Sequence, residues 1–151
     1  MLLLRRGKCN SKYYIFQDKM ETIFSKIIRG EIPSYKVAEN EEFLAFLDIS
    51  PLAKGHTLVI PKLENDYIFD LDDDILARLI VFSKKVALAI EKNIDCKRIG
   101  VAVIGLDVPH THIHLVPIHD ISDLDFTKER VRLTPDEFQD IASKIFNTVV
   151  L

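Results

Sequence analysis

Three of the chain's five histidines lie in the stretch Pro109-His110-Thr111-His112-Ile113-His114-Leu115-Val116-Pro117. They alternate with single residues, and a spacing of two is the side-chain period of a β-strand. The pattern therefore predicts a strand with three imidazoles on one face and Thr111, Ile113 and Leu115 on the other. The second face is mostly apolar and suits a core, whereas imidazoles are costly to bury without partners. We therefore expect the histidine face to carry chemistry.

Three interpretations of this histidine face compete. Histidines satisfied within a core would explain one such residue, but they explain three alternating ones poorly. A metal site is the second interpretation, since His-x-His pairs bind zinc or iron and His119 and Asp120 could add ligands. Nucleophilic attack at phosphorus is the third, because a neutral imidazole with a fixed tautomer can displace a leaving group from a phosphate. The residues alone leave these three open.

Two upstream stretches join this one in a resemblance to the histidine triad (HIT) family of nucleotidyl hydrolases and transferases. The alternating histidines followed by Leu115-Val116 are similar to the family signature His-φ-His-φ-His-φ-φ, in which φ is apolar. The upstream hallmarks are Phe46-Leu47-Asp48-Ile49 and Gly55-His56-Thr57-Leu58-Val59-Ile60-Pro61-Lys62. The resemblance runs from about Thr22 to Val116.

The resemblance implies a nucleotide-binding hydrolase that acts at the α-phosphate of nucleoside phosphoramidates or related nucleotides. His112 would be the nucleophile that forms a covalent nucleotidyl-histidine intermediate, with its other ring nitrogen held by the backbone carbonyl of His110. His114 and His56 would contact phosphate oxygens or the leaving group. The implied catalytic residues are thus His110, His112, His114 and His56.

The resemblance also implies a nucleotide-binding site. Asp48 would accept hydrogen bonds from the ribose hydroxyls, although an acid at a strand end is most often a turn-former. Apolar side chains would line the base pocket, and backbone N–H groups between Gly105 and Val108 would help hold the phosphate. The implied nucleotide-binding residues are Phe24, Ile27, Phe46, Asp48, Ile49, Gly105, Asp107 and Val108.

One departure from the family pattern precedes the triad, where Leu106-Asp107 stands in place of a Gln-Ser or Gln-Thr pair. A hydroxyl there could hold or protonate a leaving group. Asp107 would instead repel a phosphate if its side chain turned inward, so we expect that side chain to point away.

The expected partners are a purine nucleotide or nucleoside phosphoramidate as substrate and a second copy of the chain in a homodimer. No metal and no cofactor are expected. Two alternatives remain: a nucleotide-binding regulatory module with little turnover, and a metal-dependent hydrolase.

Composition bounds the function further. The 151 residues suit one domain, and a net charge of -3 argues against a generally basic nucleic-acid binder. The sequence has no apolar run as long as a membrane span, for which about 18 residues are needed. Cys9 and Cys96 have no paired spacing, so we expect a reducing compartment, the cytoplasm, and a structural role for Cys96.

Local patterns predict an α+β fold: an antiparallel sheet with one short helix, one long helix and a C-terminal helix. Thr22 and Gly30 bound the short helix, Asp72 to about Asn93 form the long one, and Thr134-Pro135 begins the last. The strands are expected at 34–39, 42–47, 57–60 and 98–104. We expect three regions: a disordered or spurious extension at 1–20, a HIT-like domain at 21–125, and a C-terminal extension with a helix at 126–151.

Overall fold

The computed structural model describes residues 21–151, so the expectation for 1–20 lies outside the described residues. The helices are α1 (Ile23–Ile28), α2 (Asp73–Asn93) and α3 (Pro135–Phe146). The strands are β1 (Lys36–Glu39), β2 (Phe43–Leu47), β3 (Thr57–Pro61), β4 (Arg98–Ala102) and β5 (Ile113–Ile118). Short 3-10 turns occur at Ile68–Asp70 and Ile121–Leu124.

The five strands form one sheet in the order β1-β2-β3-β5-β4, and every neighbouring pair is antiparallel. This confirms the predicted α+β fold with its short, long and C-terminal helices. None of the helices within 21–151 has the length and apolarity that crossing a membrane requires.

Strand β5 begins later than the alternating histidines indicated. Its pairing with β3 ends at Val59 and Ile113. Before that point, the N–H of Thr111 donates to the carbonyl oxygen of Asn65 at 2.6 Å, and the N–H of His110 donates to that of Val108 at 2.8 Å. The strand prediction is therefore wrong for residues 110–112, because their backbone bonds to loops. Strand β4 likewise ends at Ala102 and not at Ile104.

The main core lies between the sheet and helices α2 and α3. Ile113 and Leu115 of β5 point into it and are 0% and 1% exposed, as the period of two predicted. The largest helix side chains in this core are Leu79, Phe82, Val86, Ile90, Phe138, Ile141 and Ile145. Each such side chain contributes about 1.5–3 kcal/mol on burial, so this face fixes the orientation of β5.

A smaller cluster covers the opposite face of the sheet, where the histidines lie. Helix α1 contributes Phe24, which packs against Phe46, Leu58 and Ile60. Thr22 caps α1 by accepting the N–H of Ser25 at 3.1 Å. The helix ends at Ile28, and Gly30 follows with a φ of +74°, the left-handed conformation that glycine adopts without strain.

The segment after β5 packs against the rest of the described domain. In α3, Phe138 stacks on Tyr35 with ring centroids 4.8 Å apart. Before α3, the N–H of Val131 donates to the carbonyl oxygen of Pro51 at 2.9 Å. Residues 126–131 therefore pass close to the loop that follows Asp48, next to the histidine face.

Candidate active site

His112 borders a cavity of about 410 Å³ on the histidine face, a size typical of small-molecule sites. Its Nδ1 lies 2.6 Å from the carbonyl oxygen of His110. A carbonyl can only accept, so Nδ1 carries the proton and neutral His112 has its lone pair on Nε2.

His114 and His56 form a second fixed pair. The backbone N–H of Leu52 donates to Nδ1 of His56 at 3.0 Å, so the proton of neutral His56 is on Nε2. That nitrogen lies 3.0 Å from Nδ1 of His114, to which it donates. Neutral His114 must then carry its own proton on Nε2, as a hydrogen-bond donor.

The free nitrogen atoms of His112 and His114 both reach the cavity. Within residues 21–151, every fully buried side-chain nitrogen or oxygen has a hydrogen-bond partner, and neither of these two Nε2 atoms has one there. The ring centroids are 4.9 Å apart. The cavity thus has one imidazole lone pair beside one imidazole N–H.

Burial keeps the imidazoles of His56 and His114 neutral. Burial first, and then the positive charges of His114 and Arg130, lower the pKa of His56 to about 3. Burial, His112 and Arg130 lower the pKa of His114 to about 4. At neutral pH His114 is therefore a donor and not an acid, since losing its remaining proton would leave an imidazolate.

His110 lies behind His112 and is fully buried. Its Nε2 donates to the carbonyl oxygen of Pro61 at 2.8 Å, and its Nδ1 faces the Thr22 hydroxyl at 3.4 Å. Burial lowers its pKa, an effect that the Pro61 carbonyl partly offsets. With both nitrogens engaged, the His110 side chain anchors the backbone that holds His112.

Asp48 borders the same cavity from the end of β2. Its Oδ1 accepts the N–H of Ser50 at 2.8 Å, and its Oδ2 is 3.7 Å from Nε2 of His56. Burial raises the pKa of Asp48, although the Ser50 N–H, Arg130 and His112 act against that rise. Asp48 thus stabilises the turn through Oδ1, and its Oδ2 faces the imidazole of His56.

Two of the base-pocket candidates form the wall behind His112. Phe24 contacts His112 edge-on with centroids 5.3 Å apart, and it contacts Phe46 at 5.6 Å. Ile27 packs beside them, half-buried. Ile49 is 74% exposed and borders a neighbouring cavity with Glu129 to Leu133, not the one that His112 borders.

The loop before the triad forms the opposite rim of the cavity. Gly105 has a φ of +70°, so a side chain there would be strained. Exposed Asp107 borders this cavity and also a second one beside Thr22, while half-buried Val108 packs against the α1 cluster.

Sequence reasoning missed the wall contributed by the segment after β5. The ring of Phe126 packs edge-on against His114 at 4.8 Å and lies 6.4 Å from His56. The guanidinium of Arg130 lies over that ring at 5.6 Å and also borders the cavity. No local pattern distinguished Arg130 from Lys128 or Arg132, because only the path of the segment brings it to the histidines.

Among residues 21–151, one group of side chains could hold a metal ion. Ligand atoms of Asp48, His56 and His114 lie within 4.8 Å of one another. His119 lies elsewhere, with its Nε2 3.1 Å from the Asp95 carbonyl oxygen. The expected additional ligands His119 and Asp120 are therefore not part of this group.

Comparison with known proteins gives the same relationship by sequence and by structure. A family model described as "HIT domain" matches residues 29–121. An uncharacterized HIT-like protein of Borreliella burgdorferi is 35% identical over 133 residues, which is 83% of this chain and 96% of that protein. The adenosine 5′-monophosphoramidase of Schizosaccharomyces pombe is 40% identical over 99 residues, 65% of this chain and 74% of that one.

Solved structures agree. A HIT-like protein from Bartonella henselae superposes with a TM-score of 0.73 at 32% identity, covering 85% of this chain and 96% of that one. A zinc-bound histidine triad family protein from Mycobacterium smegmatis gives 0.72 at 27% identity, covering 86% and 94%.

Proposed function

The chain belongs to the HIT family, and on that basis we propose that it hydrolyses nucleoside phosphoramidates or related nucleotides at the α-phosphate through a covalent nucleotidyl-His112 intermediate. The name of the S. pombe relative supports a phosphoramidate as the substrate.

One observation carries the proposal: Nδ1 of His112 donates to the His110 carbonyl, so the Nε2 lone pair faces the cavity. A backbone acceptor cannot take the proton away, so this imidazole stays in the nucleophilic tautomer. The Nε2–H of His114 is available to a phosphate oxygen beside it.

The reaction then has two displacements. In the first, the Nε2 lone pair of His112 attacks phosphorus, and the P–N bond of the phosphoramidate breaks with its electron pair on the leaving nitrogen. That nitrogen takes a proton from solvent, because neutral His114 can donate a hydrogen bond without releasing its proton. In the second, water attacks phosphorus, the P–Nε2 bond returns its electrons to His112, and the nucleoside monophosphate leaves as a proton goes to solvent.

The test is to trap the intermediate. Wild type mixed with a labelled adenosine phosphoramidate and quenched in alkali should carry label on the protein and release a burst of amine. His112→Ala should bind nucleotide, carry no label and lose about three or more powers of ten in turnover. His119→Ala, an exposed histidine outside the site, is the matched control.

Label on His112→Ala, or full activity in it, would contradict the proposal. Nucleotide binding without any burst in wild type would favour the regulatory module.

A metal-dependent hydrolase is the second candidate, and the Asp48, His56 and His114 group favours it, as does the zinc in the M. smegmatis protein. The geometry argues against it: the facing nitrogens of the two histidines are 3.0 Å apart, a hydrogen-bond distance. Two nitrogen ligands at about 2.0–2.1 Å in a tetrahedral zinc site would be farther apart, at about 3.3 Å. Metal analysis and activity before and after chelation separate the two candidates, since only a metal enzyme loses activity that zinc restores.

We also propose that the chain forms a homodimer through the β4 edge of the sheet. Strand β4 is the last in the sheet order, and its Val101 is 59% exposed. An exposed apolar edge strand is a template for pairing with another chain. Sedimentation should show a dimer for wild type and a monomer for Val101→Lys; a monomeric wild type would contradict the proposal.

A further inference from the structure

Arg130 is the cation of the active-site cavity. It borders the cavity together with Asp48, His112 and His114, and no lysine or other arginine borders it among residues 21–151. It also lies outside the 29–121 stretch that the family model matches.

The guanidinium is held in place without being neutralised. Its Nη2 donates to the carbonyl oxygen of Phe126 at 3.1 Å, and the ring of the same residue lies under it at 5.6 Å. Within the described part of the chain, it forms no ion pair with a carboxylate. An arginine has five N–H donors, so most of them remain available to a ligand.

The surroundings of the cavity otherwise disfavour an anionic substrate. Asp48 and Asp107 both border it, and the net charge of the chain is -3, so neither the rim nor the whole protein attracts a phosphate. The loop at Leu106-Asp107 also has no hydroxyl to offer. His114 contributes one N–H and is neutral, so Arg130 is the one permanently charged donor among the described side chains that border the cavity.

Arg130 borders the same cavity as both ends of the proposed nucleotide site. These are Asp48, the proposed ribose acceptor, and His114, whose free N–H lies beside the proposed nucleophile. Its Phe126 support packs directly on His114. In a nucleoside 5′-phosphate the α-phosphate is the anion that connects ribose to the attacked phosphorus. A planar guanidinium fork matches two phosphate oxygens.

We propose that Arg130 binds the transferred α-phosphate and supplies the positive charge that holds it against the lone pair of His112. This inference rests on the proposed function for its kinetic consequences, but the binding contact itself does not depend on turnover.

The first experiment is therefore a binding measurement. Titration calorimetry compares adenosine 5′-monophosphate with adenosine, which lacks the phosphate, on wild type and Arg130→Gln. Arg130→Gln should weaken binding of the monophosphate by at least about 10-fold, the loss expected for a charged hydrogen bond, and leave adenosine affinity unchanged. Arg130→Lys should restore part of the loss. Arg132→Gln, an exposed arginine two residues along, should change neither affinity.

Equal losses for adenosine and its monophosphate would show that Arg130 only supports the cavity wall, and unchanged affinities would show no contact. Either result overturns the inference. If wild type shows no covalent adduct while the phosphate-dependent loss persists, the proposed function fails and the Arg130 site stands.

The second experiment distinguishes the α-phosphate from a charged leaving group. Two adenosine phosphoramidates, of 4-aminobutyrate and of 4-aminobutyramide, share the P–N bond and differ by one negative charge on the leaving side. Arg130→Gln should lower kcat/KM for both by the same factor. A loss confined to the carboxylate substrate would place Arg130 on the leaving group and overturn the inference.

Discussion

Nε2 of His56 donates to Nδ1 of His114 across 3.0 Å, and the backbone N–H of Leu52 fixes the direction of that hydrogen bond. His56 is 0% exposed and does not border the cavity. The expectation that His56 contacts phosphate or the leaving group stays a prediction. From its position behind His114 we infer that His56 sets the tautomer of His114.

This relationship predicts that the effects of substituting His56 and His114 on kcat/KM are strongly non-additive. His114→Ala should lower kcat/KM, less than His112→Ala does, and His56→Ala should lower it less than His114→Ala. The double variant should be no slower than His114→Ala alone, because His56 then has nothing left to orient. Steady-state kinetics of the three variants test this. Losses that multiply would show that His56 acts on the substrate by itself.

His110→Ala should act through stability and orientation. It leaves the Pro61 carbonyl without its donor, which costs about 1–3 kcal/mol of unfolding free energy. Activity should fall less than in His112→Ala, because the backbone carbonyl that holds His112 remains. Urea unfolding and kcat measure the two effects. Thr22→Val removes the hydroxyl that faces the other ring nitrogen of His110, Nδ1. That contact is longer, at 3.4 Å, so the variant should change kcat less than His110→Ala does. A His110→Ala enzyme as inactive as His112→Ala would contradict this role.

Asp48→Asn should weaken nucleotide binding more than it slows the chemical step. The proposed partner is the ribose, and losing a charge-assisted hydrogen bond costs about 1.5–3 kcal/mol. Kd and kcat for matched ribose and 2′-deoxyribose substrates give the measurement. The Kd and kcat of the 2′-deoxyribose substrate should hardly change. Equal losses for both sugars would refute the ribose assignment, and Asp95→Asn, an exposed acid outside the cavity, is the control.

Acid should destabilise the protein through the buried imidazoles. In the unfolded chain these groups take up protons below a pKa of 6.5, whereas the folded pKa values are about 4 for His114 and about 3 for His56. At pH values between the folded and the unfolded pKa, unfolding takes up protons. The contribution of these groups to the free energy of unfolding is therefore fully present above pH 6.5 and is lost as the pH is lowered. The raised pKa of Asp48 acts in the opposite direction.

Urea unfolding at about pH 7.5 and about pH 5 measures this loss. His56→Gln should be less stable at neutral pH but should show a smaller pH dependence, while exposed His119→Gln should keep the wild-type dependence. A free energy of unfolding that does not change over this range would contradict the assignment of buried neutral imidazoles.

Much of the fold could be predicted from local patterns. The cap at Thr22, the positive φ at Gly30 and the apolar stripe of α2 each depend on residues within one or two turns of helix. The ends of β5 and β4 could not be predicted in the same way. The backbone N–H of Thr111 bonds to the carbonyl oxygen of Asn65 and not to a strand, and Asn65 lies in a loop 46 residues earlier in the chain.

The sequence alone determined that His112 and His114 share one face, because the two-residue period of an extended chain is a local property of the backbone. It also determined the apolar opposite face, through Ile113 and Leu115. Only the tertiary structure decided which nitrogen of His114 is free, because the deciding partner is Nε2 of His56, 58 residues away, whose own proton is placed by the Leu52 N–H. It likewise decided that Phe126 and Arg130 complete the cavity. Their position follows from the packing of α3 and the Val131–Pro51 hydrogen bond, which no periodicity of nearby residues encodes.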